Sequence, residues 1–305
     1  MQSIWHSEKY PGKLSMQKTY MNLESPQTNV SLQTRTVDHD RYLCALFAPS
    51  NIQQSIFAII LFNAEIARVW DNVSEPMLGA IRFQWWRESI KKVYSGDVND
   101  HYIIRLLAKT IKRHNLSYCY FERLIYAREQ NFMATMPVTV MQLEKYAEET
   151  SSPILALFIE IAGHGSTLRS PEVEETIKCY GIAWSLMGLT RSIPFDARRQ
   201  RMFIPLEIFS KLGVHADEIF NSKEKHCLIK AVTQIADLSN SYACRGKTIS
   251  IARQSFMKQG YLLGALTEAY YKRLRKCRYD PYNGKMAISP LRRQLLLSLT
   301  SLGTR

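Results

Sequence analysis

The chain has 305 residues, of which 46% are hydrophobic, and it carries a formal net charge of +13. That apolar content supports a substantial core and excludes an intrinsically disordered protein. The charge excess favours polyanions such as nucleic acid, anionic lipid headgroups or a diphosphate, but it does not choose among them. An ordinary solvated basic surface is an equal alternative.

The six cysteines form no CxxC pair, which indicates a reduced compartment and not a disulfide framework or a zinc site. No apolar run approaches the roughly 18 to 20 residues of a membrane span. Residues 1–37 are polar and irregular, so we expect a disordered tail without a secretory signal. A single domain is predicted over residues 38–305.

Helix signals follow one another along the rest of the chain. Ser50 and Gln53 have the spacing of a capping box at the start of the first long helix. Ser74-Glu75-Pro76 is a second start signal, and Gly96-Asp97 ends the helix that it opens. Further helices are predicted over 101–113, 116–135, 140–149, from Ser152-Pro153, from Ser170-Pro171, and over 224–244, 246–277 with a break, and 288–301. Because no alternating strand pattern stands out, the sequence predicts an all-α fold.

Two adjacent tryptophans, Trp85 and Trp86, lie within the helix that follows Pro76. Neighbouring positions cannot share one helix face. We expect both side chains in the core, one of them against a neighbouring helix.

Two segments look like halves of a diphosphate-binding site that have lost half of their carboxylates. In the first, Ala67 and Arg68 precede Asp71, and in the second, Ser192 precedes Asp196 by four positions. Residues i and i+4 lie on one helix face, so paired aspartates there could hold magnesium ions between two helices. Such ions neutralise a diphosphate leaving group. Asp71 and Asp196 are therefore candidates for catalysis and for a weak, incomplete magnesium site, or they are ordinary surface or capping acids.

Five arginines near these acids are candidate ligands for a diphosphate substrate. Arg68 lies beside the first motif. An eleven-residue stretch around the second motif contains Arg191, Arg198, Arg199 and Arg201. Guanidinium groups bind phosphate oxygens but cannot hold a metal ion. By composition alone, a solvated basic loop is an equal reading of the second cluster.

The segment 245–278 is strongly basic, with nine Lys or Arg against one acid, Glu268. Leucines and tyrosines interleave with these charges. A basic amphipathic helix can lie on an anionic membrane surface. The alternative is an ordinary helix with a basic outer face.

In order and spacing, these residues resemble the squalene/phytoene synthase family over roughly residues 38–285. The segments that carry the resemblance run from Tyr42 to Asp71, from Gln84 to Trp86, from Gly181 to Arg191 and from Asp196 to Pro205. The resemblance implies an all-α isoprenoid-synthase bundle with a central cavity. Active members of that family join two prenyl diphosphates head to head, using the motifs DDxxD and RDxxxD.

Compared with those motifs, this chain is degenerate at matching positions. Ala67 and Arg68 stand where the leading aspartates of the first motif would be, and Asp71 matches its last. Arg191 matches the arginine of the second motif, Ser192 replaces its first aspartate, and Asp196 matches its last.

The run from Phe62 to Val69, followed by Val73 to Pro76, looks closer to a divergent branch of the family. That branch includes a mitochondrial complex I assembly factor with a phytoene-synthase-like domain and its bacterial relatives. The resemblance therefore implies a pseudoenzyme with a role in complex I assembly, peripheral on the matrix or cytoplasmic side of the inner membrane.

The partners implied are complex I subunits or assembly factors, an anionic membrane surface, and a retained isoprenoid or prenyl diphosphate. The alternative function is an active magnesium-dependent prenyltransferase of the phytoene or squalene synthase type, which would condense two prenyl diphosphates. We do not expect nucleic-acid binding, because no recognised binding motif accompanies the charge.

Overall fold

The computed structural model describes residues 26–73, 75–133, 136–199, 201–214 and 225–304. Over these ranges the chain is helical and contains no strand, as the sequence predicts. The helices are α1 (Pro26–Val37), α2 (His39–Ala45), α3 (Ser50–Ala67), α4 (Val69–Asn72), α5 (Pro76–Tyr94), α6 (Tyr102–His114), α7 (Tyr118–Met133), α8 (Val140–Ile161), α9 (Pro171–Ala197), α10 (Leu206–Lys211), α11 (Lys225–Thr248), α12 (Lys258–Lys276) and α13 (Pro290–Ser301).

The folded part begins earlier in the chain than predicted. The expected disordered tail reached residue 37, but residues 26–37 form α1, which packs against α3. Val30 and Thr34 on α1 are buried, with exposed fractions of 3% and 0%. The apolar contact offsets the weak helix signal of this polar segment. Residues 1–25 lie outside the described ranges, and the single domain over 38–305 stays a prediction.

Helix α3 is apolar on all sides over residues 56–62, which places this part of it inside the bundle. Its residues Ile59, Ile60 and Phe62 are fully buried. The predicted capping box at its start is wrong, because Ser50 is already helical and Pro49 occupies the cap position. The side-chain amide of Gln53 instead donates to the carbonyls of the preceding turn. At the start of α5, Pro76 occupies the first turn as predicted, whereas Ser74 lies outside the described ranges.

The central helices α8 and α9 each run through a proline. The predicted helix start at Ser152-Pro153 is wrong, since α8 continues from Val140 to Ile161. An interior proline costs about 3 kcal/mol through its missing backbone hydrogen bond. Here the segment after Pro153 is almost entirely buried, and that burial offsets the cost.

Helix α9 is the axis that carries the second half-motif. It spans 27 residues, continues through Pro194, and packs against α8, α11 and α12. The basic segment 245–278 comprises the end of α11 and all of α12, whose inner face is buried through Leu262, Leu266 and Tyr270. None of the helices in the described ranges is long and apolar enough to cross a membrane.

Candidate functional site

The first half-motif lies across a break between two helices. Helix α3 ends at Ala67, and Arg68 is the junction residue before the short helix α4, which carries Asp71. The four-residue step from Ala67 to Asp71 therefore crosses a helix boundary. The half-buried side chain of Arg68 makes no hydrogen bond or ion pair with any residue in the described ranges.

The second half-motif lies in the last turns of α9. Asp196 is only 8% exposed, and the hydroxyl of Ser192, one turn earlier, donates to its Oδ2 across 2.5 Å. Burial raises the pKa of the Asp196 carboxyl. The hydrogen bond from Ser192 and the charge of Arg201 oppose that shift, whereas the nearby carboxylate of Asp71 adds to it. The net direction is upward, so this carboxyl is held in surroundings that disfavour its charge.

The two halves meet where the chain leaves α9. The backbone N–H groups of Arg199 and Arg201 both donate to the carbonyl oxygen of Asp196, at 2.8 and 3.0 Å. This tight turn brings both guanidinium groups to Asp71. Their Nη1 atoms lie 3.3 Å (Arg199) and 3.6 Å (Arg201) from its Oδ1. Asp71, Asp196, Arg199 and Arg201 thus form one cluster, although their half-motifs are far apart in the sequence.

The donor set of this cluster does not fit a magnesium–diphosphate site. Magnesium takes octahedral oxygen ligation, and in phosphate sites one or two free carboxylates hold it together with substrate phosphates and waters. Here Asp71 is paired with two guanidinium groups, and Asp196 accepts a hydrogen bond from Ser192. Within the described ranges, no three His, Cys, Asp or Glu side chains come together as a possible metal site.

Arg191 lies on the same helix but belongs to a different, buried cluster around Asp40. Its Nη1 donates to Asp40 Oδ2 across 3.1 Å, and its guanidinium stacks 3.6 Å from the ring centre of Tyr270. Arg293 and the Tyr270 hydroxyl also donate to Asp40, at 2.6 and 2.8 Å. Burial works to raise the pKa of Asp40, but Arg191, Arg293 and Tyr270 together lower it below its ordinary value. The cluster joins α2, α9, α12 and α13.

Asp40, Tyr270 and Arg293 are cluster residues that the sequence did not predict. The two arginines that bind Asp40 lie 151 and 253 positions away from it. No local pattern marks such a pair, because ion pairing at that separation is decided by the tertiary fold. In the sequence His39-Asp40-Arg41 the acid is flanked by two polar residues, which is typical of a solvated turn.

Of the five predicted diphosphate ligands, only Arg199 and Arg201 reach the carboxylates of the half-motifs. Arg198 is exposed at the end of α9 and makes no side-chain hydrogen bond or ion pair within the described ranges. Arg191 is committed to Asp40, and Arg68 lies at the junction of α3 and α4. Substrate binding by these arginines stays a prediction.

Two gaps inside the bundle near this site are narrow. One lies between α8, α9 and α11, is lined by Leu143, Thr190 and Ile193 among others, and has a volume of about 10 Å³. The other, beside Arg41 and Trp184, is closed to a water molecule. Small-molecule sites commonly have roughly 300 to 1,000 Å³. Neither of these two gaps is of substrate size. A wider pocket of about 490 Å³ opens at the surface beside the first half-motif, with Glu65, Asn72 and Val73 in its wall.

Comparison with known proteins identifies the family of this chain. The family described as "Squalene/phytoene synthase" matches residues 34–299, which is most of the chain. The chain belongs to the squalene/phytoene synthase family. This match confirms the predicted resemblance to the family over most of the chain.

Solved structures of the family share the fold. The chain is similar to a dehydrosqualene synthase in complex with a ligand, with a TM-score of 0.75 and 15% identity, over 90% of this chain and 95% of that one. It is also similar to the squalene synthase HpnC from Alicyclobacillus acidocaldarius, with a TM-score of 0.71 and 18% identity, over 83% and 94% of the two chains. At these identities the likeness concerns the fold alone.

Among family members with curated names, the chain is similar to the NADH dehydrogenase (ubiquinone) complex I, assembly factor 6, of Bos taurus. The two are 27% identical over 251 residues, which cover 82% of this chain and 74% of that protein. It is also 21% identical over 188 residues to the 15-cis-phytoene synthase of Synechococcus elongatus, over 59% and 61% of the two chains.

Proposed function

We propose that this squalene/phytoene synthase family member is non-catalytic and acts in the assembly of respiratory complex I. The observation that carries the proposal is the pairing of Asp71 with Arg199 and Arg201. The matching relatives that bear the name of complex I assembly factor 6 support the biological role.

The electrostatics of the cluster argue against a recruited magnesium ion. A cation that approached Asp71 would have to displace two guanidinium groups, whose backbone is fixed close by through the turn at Asp196. The displaced groups would stay nearby and would repel it. Asp196 adds little attraction, because burial raises the pKa of its carboxyl.

The placement of Arg191 supports the same conclusion. Its guanidinium is shared between the Asp40 carboxylate and the ring of Tyr270, both of which are buried. If the Arg191 side chain turned away to bind a diphosphate, Asp40 would lose one of its two cationic partners. Arg191 therefore serves the packing of α2, α9 and α12 in this proposal.

The location and partners follow from the assembly role. Complex I subunits or other assembly factors are the proposed partners, and the matrix or cytoplasmic face of the respiratory membrane is the proposed place. An isoprenoid retained without turnover is not required by this role.

A gene deletion in the source organism tests the assembly role. We expect assembled complex I, measured on native gels with an in-gel NADH oxidation stain, to fall, and both wild type and Asp196→Asn to restore it. Unchanged complex I in the deletion strain would refute the assembly role.

A turnover assay tests the absence of catalysis separately. Purified protein is incubated with farnesyl or geranylgeranyl diphosphate, magnesium and NADPH, with an active family member run in parallel. We expect no diphosphate release above the protein-free control. Release that disappears in Asp71→Asn would favour the alternative, an active prenyltransferase.

A further inference from the structure

Helix α13 presents a row of leucines to solvent. Leu291, Leu295 and Leu299 on α13 and Leu302 at its C-cap have exposed fractions of 75%, 58%, 63% and 84%. Their spacing of four, four and three positions places them on one helix face. We call this row the leucine stripe.

The orientation of the leucine stripe is fixed by the opposite face of α13. Leu297 on that face is fully buried, and Arg293 donates to the buried carboxylate of Asp40. The helix therefore cannot turn its outer leucines inward without breaking that ion pair. Single exposed leucines are common on soluble proteins, but a contiguous apolar row on an anchored helix indicates a contact surface.

A pocket with positive charges opens beside the stripe. It has a volume of about 380 Å³ and lies between α12 and α13, and Leu299 belongs to both the stripe and the pocket wall. Its other lining residues include Tyr180, Lys247, Arg253, Glu268, Lys272 and Leu296.

Two of these cations are available to a ligand. Lys247 is neutralised by Glu268, whose Oε1 lies 3.0 Å from its Nζ. Arg253 and Lys272 are exposed, and neither forms a hydrogen bond or ion pair with any residue of the described ranges. The pocket therefore offers a net positive charge next to an apolar wall. This combination is complementary to an anionic amphiphile.

The pocket also contains a buried hydroxyl without a partner. Tyr180 is 1% exposed, and its Oη accepts or donates no hydrogen bond within the described part of the chain. Gly264 lets α12 approach the ring so closely that a Cβ there would lie 2.5 Å from Tyr180 Cε1. A buried polar group without a partner is costly. Tyr180 Oη is closed to solvent, so a ligand would have to open the pocket wall to reach it.

We propose that the leucine stripe and this pocket form a docking face for an anionic phospholipid bilayer. The phosphate of one lipid enters the pocket and binds Arg253 and Lys272, while the leucines insert among the acyl chains. Charge complementarity selects this occupant, because the chain carries a net charge of +13. A second copy of the chain would bring the same positive face against itself. The inference does not depend on the proposed assembly role.

Sedimentation of the purified full chain with vesicles tests the proposal. The vesicles contain phosphatidylcholine alone or phosphatidylcholine mixed with phosphatidylglycerol. We expect binding to the mixed vesicles, weakened roughly tenfold or more in the double variant Arg253→Gln/Lys272→Gln. The double variant Leu295→Asp/Leu299→Asp should lose binding as well, since it places charges among the acyl chains.

Matched controls use other exposed positions of the same kinds. Val98→Asp/Met141→Asp alters two exposed apolar residues that lie on separate parts of the chain, and Lys109→Gln/Lys112→Gln removes exposed charges of α6. We expect both controls to bind like wild type. Circular dichroism spectra establish that each variant is folded, and all these positions are exposed.

Three results would overturn the proposal. The first is that wild-type protein does not bind the mixed vesicles, or that the pocket and stripe variants bind them as well as the controls do. The second is binding of soluble glycerol phosphate in the pocket without vesicle binding, which would indicate a free phosphate ligand. The third is a dimer, seen by light scattering, that Leu295→Asp/Leu299→Asp dissociates.

Discussion

Nη1 of Arg199 lies 3.3 Å from Oδ1 of Asp71, so the turn after α9 supplies a counter-charge for the carboxylate on α4. In a site built from two carboxylate-rich helices, that counter-charge would be a metal ion shared between them. Here each half-motif keeps one acid, and the second half-motif also contributes the cations. The two halves of the predicted site are thus in contact, with a salt bridge at the position of contact.

Replacing Asp40 by Asn should strongly destabilise the fold. Its side chain is 7% exposed, and the variant would leave Arg191 and Arg293 without their anionic partner. Breaking a buried pair from one side costs about 3–5 kcal/mol. Urea titration at neutral pH measures the loss in the free energy of unfolding.

The control for this variant is Asp100→Asn, which breaks the exposed pair with Arg105. We expect no measurable change there, since exposed pairs contribute little. The cluster lowers the pKa of Asp40, so its stabilisation is present above the unfolded-state pKa. It is lost as the pH falls through the lower pKa of the folded state. A constant difference between wild type and Asp40→Asn down to strongly acidic pH would contradict this assignment.

Replacing Asp196 by Asn should stabilise the protein at neutral pH. Burial raises the pKa of this carboxyl in the folded state, so the charged form opposes folding. By linkage, the charged carboxyl destabilises the folded state only above the unfolded-state pKa. This loss of stability is complete once the pH has risen through the folded-state pKa. The neutral amide avoids it and can still accept the hydrogen bond from Ser192. Urea midpoints compared at neutral and acidic pH test this, and a less stable variant at neutral pH would show that Asp196 functions as a charged group.

Two glycines on α9 should respond to alanine with opposite signs. At Gly181 a Cβ would lie 2.5 Å from Ser152 Oγ and 2.9 Å from the Ser152 backbone nitrogen, so α8 and α9 would have to separate. We expect a loss of about 1–3 kcal/mol in the free energy of unfolding. At Gly188 nothing lies within 4 Å, and alanine should add about 0.5–1 kcal/mol through its better helix propensity. Equal effects at the two positions, measured by urea titration, would mean that α8 and α9 are not in close contact.

The adjacent tryptophans should differ by several kcal/mol. Trp86 is 3% exposed and meets the ring of Phe62, whereas Trp85 is 38% exposed and meets His101. We expect Trp86→Ala to cost about 3–5 kcal/mol. Trp85→Ala serves as the matched control and should cost much less. Similar losses in the two variants would place both rings in the core, as the sequence alone suggested.

Local sequence signals predicted which helices exist better than they predicted where those helices begin and end. Pro76 and Ser170-Pro171 mark the starts of α5 and α9, because proline fits the first turn of a helix. Pro153 carries the same signal but lies inside α8. The difference is burial, which depends on α9 packing against α8 and cannot be read from the local sequence. The same reason explains α1, a polar segment that is helical because α3 covers Val30.

The acids of the site were predictable, and their partners were not. The family motifs located Asp71 and Asp196 and showed which carboxylates are missing. The pairing of Asp71 with Arg199 and Arg201 depends on the backbone turn at the end of α9, which brings distant helices together. Arg191 was grouped with those arginines by proximity in sequence, but Asp40 and Tyr270 hold it on another side of α9.

The guanidinium groups at Asp71 are counter-ions that cannot diffuse away. A divalent metal at such a position would be in exchange with solution, so occupancy would follow the free magnesium concentration and a chelator would empty the site. Arg199 and Arg201 are bonded into the chain, and their local concentration is set by the turn that carries them. The charges that balance Asp71 are therefore part of the polypeptide from its synthesis. Chelation or magnesium starvation leaves this charge balance unchanged.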